Sequence, residues 1–167
     1  VMAGLTIAIL ASVGASSLAA QNAHGHGHMT HDEVNMPGLR GENATPQESA
    51  ALAILFRRFD TLTREVENLP NGIRTVTRSS DREVMDALAS HAVGMSDRVH
   101  AKDDPKIFIQ SPTLDAFFLH GDEIYSDDEM TDDGLVVIQT SDNPDHVRAK
   151  HIHAAEVTAM VDRGMAA

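Results

Sequence analysis

Cysteine and tryptophan are both absent from this chain of 167 residues, and aromatic residues make up only 4% of it. Without cysteine there is no disulfide, no thiolate metal ligand, no cysteine nucleophile and no covalent haem attachment through a C-x-x-C-H motif. The low aromatic content predicts a core built mainly from aliphatic residues, alanine and methionine. Any metal site must therefore use histidine, methionine, carboxylate or backbone ligands.

Positive charge is also scarce, with 13 Lys+Arg against 25 Asp+Glu and a net charge of −12 when histidine is neutral. Because this balance repels phosphate backbones and anionic lipid headgroups, we expect no nucleic-acid partner and no membrane partner for the mature protein. The chain also lacks H-E-x-x-H, G-x-S-x-G, P-loop and dinucleotide-binding motifs. Binding is therefore favoured over catalysis, and an enzyme with a histidine acid or base is the alternative.

An apolar run covers residues 5–13, although the positively charged segment that usually precedes such a run in a signal peptide is missing, since no lysine or arginine precedes Arg40. Ser17 and Ala19 follow as small residues at the spacing that signal peptidase accepts. The run is shorter than the roughly 20 residues that a membrane span needs. We therefore expect residues 1–20 to be a signal peptide that sends the protein to a bacterial periplasm or out of the cell, with an uncleaved membrane anchor as the alternative.

Residues 21–44 are rich in His, Gly, Met, Asn and acids without periodicity, which predicts a flexible arm. The arm contains four imidazoles close together, at His24, His26, His28 and His31. Because the intervening glycines leave the backbone free to wrap, such a tract can chelate Cu(II), Ni(II) or Zn(II) without a preformed pocket. We interpret it as a metal-capturing arm, with a solubilising linker as the alternative.

Residues 45–167 are long enough to form a single folded domain. Thr45 and Glu48 have the spacing of a capping box at the start of a helix. Apolar residues then recur at helical spacing as far as Leu69, which predicts a long amphipathic N-terminal helix that ends near Asn68.

The rest of the domain repeats itself weakly at an offset of 62 residues, which places His91 onto His153. In each half a predicted strand, over residues 73–78 or 134–140, is followed by a predicted helix. Two βα-type halves predict an α+β domain, a small ferredoxin-like sandwich with helices on one face of a mostly antiparallel sheet. The remaining segments are predicted as a strand over residues 106–110 and an acidic loop over residues 122–133.

Each of the two predicted helices of the repeat carries a histidine and a methionine on one face. His91 lies within an apolar stripe one turn before Met95, and His153 lies two turns before Met160. If the helices are neighbours with axes about 8–10 Å apart, both imidazoles reach the gap between them. Two imidazoles and two thioethers form a soft ligand set that suits copper, particularly Cu(I), with zinc second.

Three alternatives to a core copper site remain open. In the first, His91 and His153 are the axial ligands of the iron of a noncovalent haem, although few aromatic residues are available to line a haem slot. In the second, the same two histidines flank a cleft that binds another small ligand. In the third, each histidine is a core residue whose ring nitrogens are hydrogen-bonded to a backbone carbonyl or a carboxylate.

We expect a metal-handling protein that passes its ion to a protein partner. The Ala- and Val-rich face of the last helix also suits a homodimer seam.

Overall fold

The computed structural model describes residues 36–167. The predicted signal peptide and the four arm histidines lie outside these residues. Among the described residues no helix combines the length and apolar character needed to cross a bilayer. Loops and 3-10 turns join the helices and strands. In chain order these are α1 (Pro46–Arg57), β1 (Leu62–Leu69), β2 (Gly72–Ser79), α2 (Arg82–Ala101), α3 (Asp115–Leu119), β3 (Tyr125–Thr131), β4 (Gly134–Thr140) and α4 (Pro144–Arg163).

The four strands form one antiparallel sheet in the order β1-β2-β4-β3. Two tight hairpins, β1–β2 and β3–β4, are joined in the middle of the sheet by the pairing of β2 with β4. The predicted α+β class is therefore confirmed. The ferredoxin-like arrangement is not confirmed. If the short α3 is left aside, the elements after α1 follow the order ββα twice, whereas the order in a ferredoxin-like chain is βαββαβ.

The internal repeat is visible in the backbone, because α2 and α4 begin and end at positions that differ by the same 62 residues. The turns before them are also alike. The Ser79 hydroxyl accepts a hydrogen bond from the Asp81 N–H at 3.1 Å, and the Ser141 hydroxyl accepts one from the Asn143 N–H at 3.2 Å. Asp81 and Asn143 then cap their helices. Each half is a β-hairpin followed by a helix, one strand more than the predicted βα unit.

Both long helices of the repeat cover the same face of the sheet. Helix α2 contacts β2, β3 and β4, and helix α4 contacts β1 and β2. The side chains that alternate toward these helices include Arg64 on β1, Thr75 and Thr77 on β2, and Val137 on β4. The inner face of the sheet is therefore partly polar, which is unusual for the buried side of an antiparallel sheet.

The predicted long N-terminal helix is wrong beyond Arg57. Its start is as predicted, because the Thr45 hydroxyl accepts from the Glu48 N–H and the Glu48 carboxylate accepts from the Thr45 N–H. The following segment instead forms β1. Leu62 and Val66 have helical spacing, but an interval of four residues also places them on one face of a strand. Pairing with β2 decided the conformation, since strand formation depends strongly on the neighbouring strand.

Two shorter predictions are also corrected. The predicted acidic loop over residues 122–133 contains β3, whose charged composition suits an edge strand, because exposed charges oppose pairing with other chains. The predicted strand over residues 106–110 is absent from the described structure except for one isolated bridge between Ile107 and Gly41.

The C-terminal part of the predicted arm packs onto the domain. Met36 and Leu39 are 3% and 1% exposed and belong to the same apolar cluster as Leu52 of α1. The prediction of a flexible arm is therefore wrong for residues 36–44. It remains a prediction for residues 21–35.

Arg98 on α2 joins this packed segment and α1 to the rest of the domain. Its Nη2 donates to Glu48 Oε2 and to the Asn43 carbonyl, both at 2.9 Å, and its Nη1 donates to Asp103 Oδ2 at 2.9 Å. Only 13% of the Arg98 side chain is exposed. The Arg98 guanidinium, aided by hydrogen bonds at Thr45, holds the pKa of Glu48 below its ordinary value against the opposing effect of burial.

We expect Arg98→Met to lower the free energy of unfolding at pH 7 by about 2 kcal/mol, because a charge-assisted hydrogen-bond network is lost. The folded-state pKa of Glu48 lies below 4.5, so the stabilisation by ionised Glu48 is present above that pH and is lost as the pH falls through the folded-state pKa. The difference from the wild-type protein should therefore shrink between pH 7 and pH 4 in urea unfolding. Arg82→Met, on an exposed residue of the same helix, should change little at either pH. An equal loss at both pH values for Arg98→Met would show that packing, and not the ion pair, causes the effect.

Candidate ligand and metal site

An interior cavity of about 270 Å³ lies between the inner face of the sheet and helices α1, α2 and α4. Its lining is mostly apolar, and its volume is close to the lower end of the range for small-molecule pockets, about 300–1,000 Å³. The four core residues predicted from the sequence all line this cavity, namely His91, Met95, His153 and Met160. The structure therefore brings the predicted set to one place.

The repeat explains why the two histidines converge. His91 and His153 are each the tenth residue of their helix, and both helices cover the same sheet face. However, α2 and α4 have little direct backbone contact among the described residues, so the two imidazoles converge without the close helix packing that was set as the condition for it. The cavity occupies the space between them, and the imidazoles face this space from opposite halves of the repeat.

Both imidazoles are neutral at pH 7. Burial lowers the pKa of His91 to about 4, with a further lowering by His153 and an opposing effect of Glu48. Burial also lowers the pKa of His153, against the opposing effect of Glu156. Both imidazoles line the cavity, and the His153 side chain is 25% exposed. A neutral imidazole is the form that binds a metal ion.

A carboxylate orients His153. The His153 Nδ1 lies 3.4 Å from Glu156 Oε2, and the other oxygen of Glu156 accepts a hydrogen bond from the Ser111 hydroxyl at 2.8 Å. The edge of the His153 ring also contacts Phe117, with 5.9 Å between the ring centroids. A carboxylate that receives the Nδ1–H leaves Nε2 with a free lone pair, which is the usual arrangement behind a metal-bound histidine.

His91 has no comparable partner. Its Nδ1 is buried without a hydrogen bond, and no described residue bonds to either ring nitrogen. A buried polar atom without a partner costs about 1–3 kcal/mol. The alternative of two satisfied core histidines therefore fits His153, through Glu156, but does not fit His91.

A bare metal ion in the cavity would depend on methionine. Among residues 36–167 no group of three or more histidine, aspartate or glutamate side chains has the arrangement needed to hold a metal ion. The two imidazoles would therefore need thioether ligands from Met95 and Met160, a combination that suits Cu(I) better than harder ions.

The few aromatic residues of the chain are concentrated at this cavity. Four of the five phenylalanines line it, namely Phe56, Phe59, Phe117 and Phe118. The argument that aromatic residues are too scarce to line a haem slot is therefore wrong, because the low overall content says nothing about where the aromatic side chains meet.

Sequence reasoning missed several polar residues of the cavity wall, including Glu156 beside His153. Arg64, Asp128 and Gln139 line the cavity from β1, β3 and β4. Arg64 falls within the predicted long N-terminal helix, and Asp128 falls within the predicted acidic loop. The Asp-Asp-Gly sequence at residues 132–134 is typical of a β-hairpin turn, and this turn predicts a strand immediately before it. The alternation of side chains along that strand could then have predicted that Asp128 points inward.

No family model matches the chain, and neither a curated protein nor a solved structure is similar enough to count as a match. The argument for a function therefore rests on the residues and their geometry.

We expect the protein to lose stability as the pH falls from 7 to 4.5. The folded-state pKa of His91, about 4, lies below its ordinary value of 6.5, so the unfolded chain binds more protons in this range and stability rises with pH. His91 alone contributes about 2 kcal/mol to the change between these two pH values. In urea unfolding, His91→Leu should reduce the pH dependence by about that amount.

The matched control is Met95→Leu, which keeps the volume at the same cavity wall and removes no titrating group. It should leave the pH dependence unchanged. A wild-type-like pH dependence in His91→Leu would contradict the burial of a neutral imidazole at this position.

Proposed function

We propose that the protein binds a transition metal in its interior cavity through His91 and His153, and that it handles this metal outside the cytoplasm. Copper as Cu(I) is the first candidate and zinc the second. The predicted signal peptide supports a periplasmic or secreted location. The role is metal binding and transfer, with no reaction assigned.

A single observation carries the proposal. Two neutral imidazoles from equivalent positions of the repeat line one mostly apolar cavity, and one of them has a buried ring nitrogen without a partner. Met95 and Met160 line the same cavity, so thioether ligands are available beside the imidazoles. Such a soft, uncharged set stabilises Cu(I), since that ion is served badly by carboxylate and water.

In this proposal the predicted arm histidines bind the metal before the cavity does. The arm would collect ions at low specificity, because a flexible histidine tract has no fixed geometry. The cavity would then hold one ion more selectively, with His153 oriented by Glu156. Transfer to a protein partner would follow.

The copper test uses the full chain with the four arm histidines changed to Asn, so that the arm no longer contributes. We expect one Cu(I) per chain to be retained in competition with a chromophoric Cu(I) chelator. X-ray absorption should show nitrogen and sulfur ligands. The further changes His91→Leu and His153→Leu should weaken retention by more than about 100-fold, the upper range for loss of an outer-shell metal partner.

A matched control changes His100 and His120 to Leu in the same background, because neither residue lines the cavity. This control should retain copper like its parent. Failure to retain any copper, or equal retention in the variant without His91 and His153, would refute a copper site in the cavity.

Haem or another small ligand is the second candidate, and the cavity itself favours it. A bare ion does not need about 270 Å³ of mostly apolar space, whereas the body of an organic ligand does. The four phenylalanines in the lining supply apolar walls for such a ligand, but haem is larger than the cavity, so the cavity would have to widen to hold it. His91 and His153 would then be axial ligands or would flank the ligand.

For this candidate, hemin is titrated into the full chain with the arm histidines changed to Asn. A haem protein should give a Soret band that saturates at one haem per chain, and the band should be lost in the variant that also lacks His91 and His153. The control with His100 and His120 changed should keep the band. Saturation at one haem per chain without a histidine-dependent band would contradict iron ligation by this pair.

A further inference from the structure

A buried cation lies in the cavity wall on β1. Arg64 Nη1 donates to the Thr77 hydroxyl at 3.0 Å, while Arg64 Nε is buried without a hydrogen-bond partner among the described residues. Burial lowers the pKa of Arg64 to about 10, so the guanidinium is still charged at pH 7. No described carboxylate forms an ion pair with it.

A second buried cation lies on α4, one turn before His153. Lys150 is 1% exposed, its Nζ donates to Gln139 Oε1 at 3.2 Å, and the same nitrogen lies 4.2 Å from the centroid of the Phe117 ring. Burial lowers the pKa of Lys150 to about 8. This side chain also has no carboxylate partner among residues 36–167.

Two such cations are unexpected in a chain with a net charge of −12. Buried charges are ordinarily paired, because a charge removed from water without a partner is costly. Each of these two buried cations is without an ion-pair partner among the described residues, so an anionic group placed beside it is favoured.

Among the described residues, neither carboxylate of the cavity wall forms an ion pair with Arg64 or Lys150. Asp128 lies on β3, at the opposite edge of the sheet from Arg64, and three strand spacings separate them by about 14 Å. Glu156 is engaged by the Ser111 and Thr113 hydroxyls and by His153. The cavity thus has a cationic end at β1 and an acidic end at β3.

We propose that the cavity binds an organic monocarboxylate, with its acid group against Arg64 and its apolar body among the phenylalanine side chains. A guanidinium donates charge-assisted hydrogen bonds to a carboxylate, and the unpartnered Nε–H is available for one. Among the described residues that line the cavity Arg64 is the one cation, and it matches one negative charge, whereas a dianionic phosphate would leave excess charge in a mostly apolar site. This inference assigns a ligand class to the part of the cavity that Arg64 lines.

The test compares two probes of the same length, octanoate and 1-octanol, by calorimetric titration of the metal-free full chain at pH 7. We expect octanoate to bind more than ten-fold tighter than octanol. Arg64→Met keeps the aliphatic stem and removes the charge, so octanoate affinity should fall to the level of octanol. Arg74→Met, on the outward face of the neighbouring strand, should keep the preference for octanoate.

Equal affinity for the two probes would overturn the proposal, as would binding of neither probe or a preference that persists in Arg64→Met. If Arg64→Met does not fold, the comparison of the probes in the wild-type protein still decides, and Arg64→Lys tests whether a cation restores the preference. The test contains no metal, so copper binding and carboxylate binding succeed or fail independently.

Discussion

The pairing of β2 with β4 at the centre of the sheet is the interaction on which the rest of the structure depends. It joins the two hairpins through a ladder from Gly72 opposite Thr140 to Thr77 opposite Leu135, and each helix then packs on strands of the other half. Because β2 and β4 are antiparallel, the two halves of the repeat run in opposite directions. Helices α2 and α4 both pack on the same face of the sheet. Equivalent residues of the two helices, His91 and His153, therefore approach one space from two sides.

That space contains an unusual concentration of unsatisfied polar atoms. Among residues 36–167 the buried side-chain atoms without a hydrogen bond are Arg64 Nε, His91 Nδ1 and Asp128 Oδ1, and all three residues line the cavity. Each orphaned atom costs about 1–3 kcal/mol, against a total stability of about 5–15 kcal/mol for an ordinary domain. Local departures from good packing and full hydrogen bonding are typical of sites that are completed by a ligand.

The two sets of cavity atoms differ in chemistry and in origin. The imidazoles and thioethers come from the helices and suit a soft metal, whereas Arg64 comes from an edge strand and suits an acid. A bare copper ion would leave the Arg64 end and the phenylalanine walls for a separate organic acid.

The sequence by itself determined the α+β class, the strand Gly134–Thr140, the start of α1 and the 62-residue offset that pairs His91 with His153. These features depend on local periodicity, capping and turn residues, which act within a few residues of the chain. Only the tertiary structure decided that the segment containing Arg64 is a strand and that α2 and α4 stand apart around a cavity. Strand pairing and the gap between packed elements depend on residues distant in sequence, and an interval of four apolar residues is compatible with both a helix and a strand.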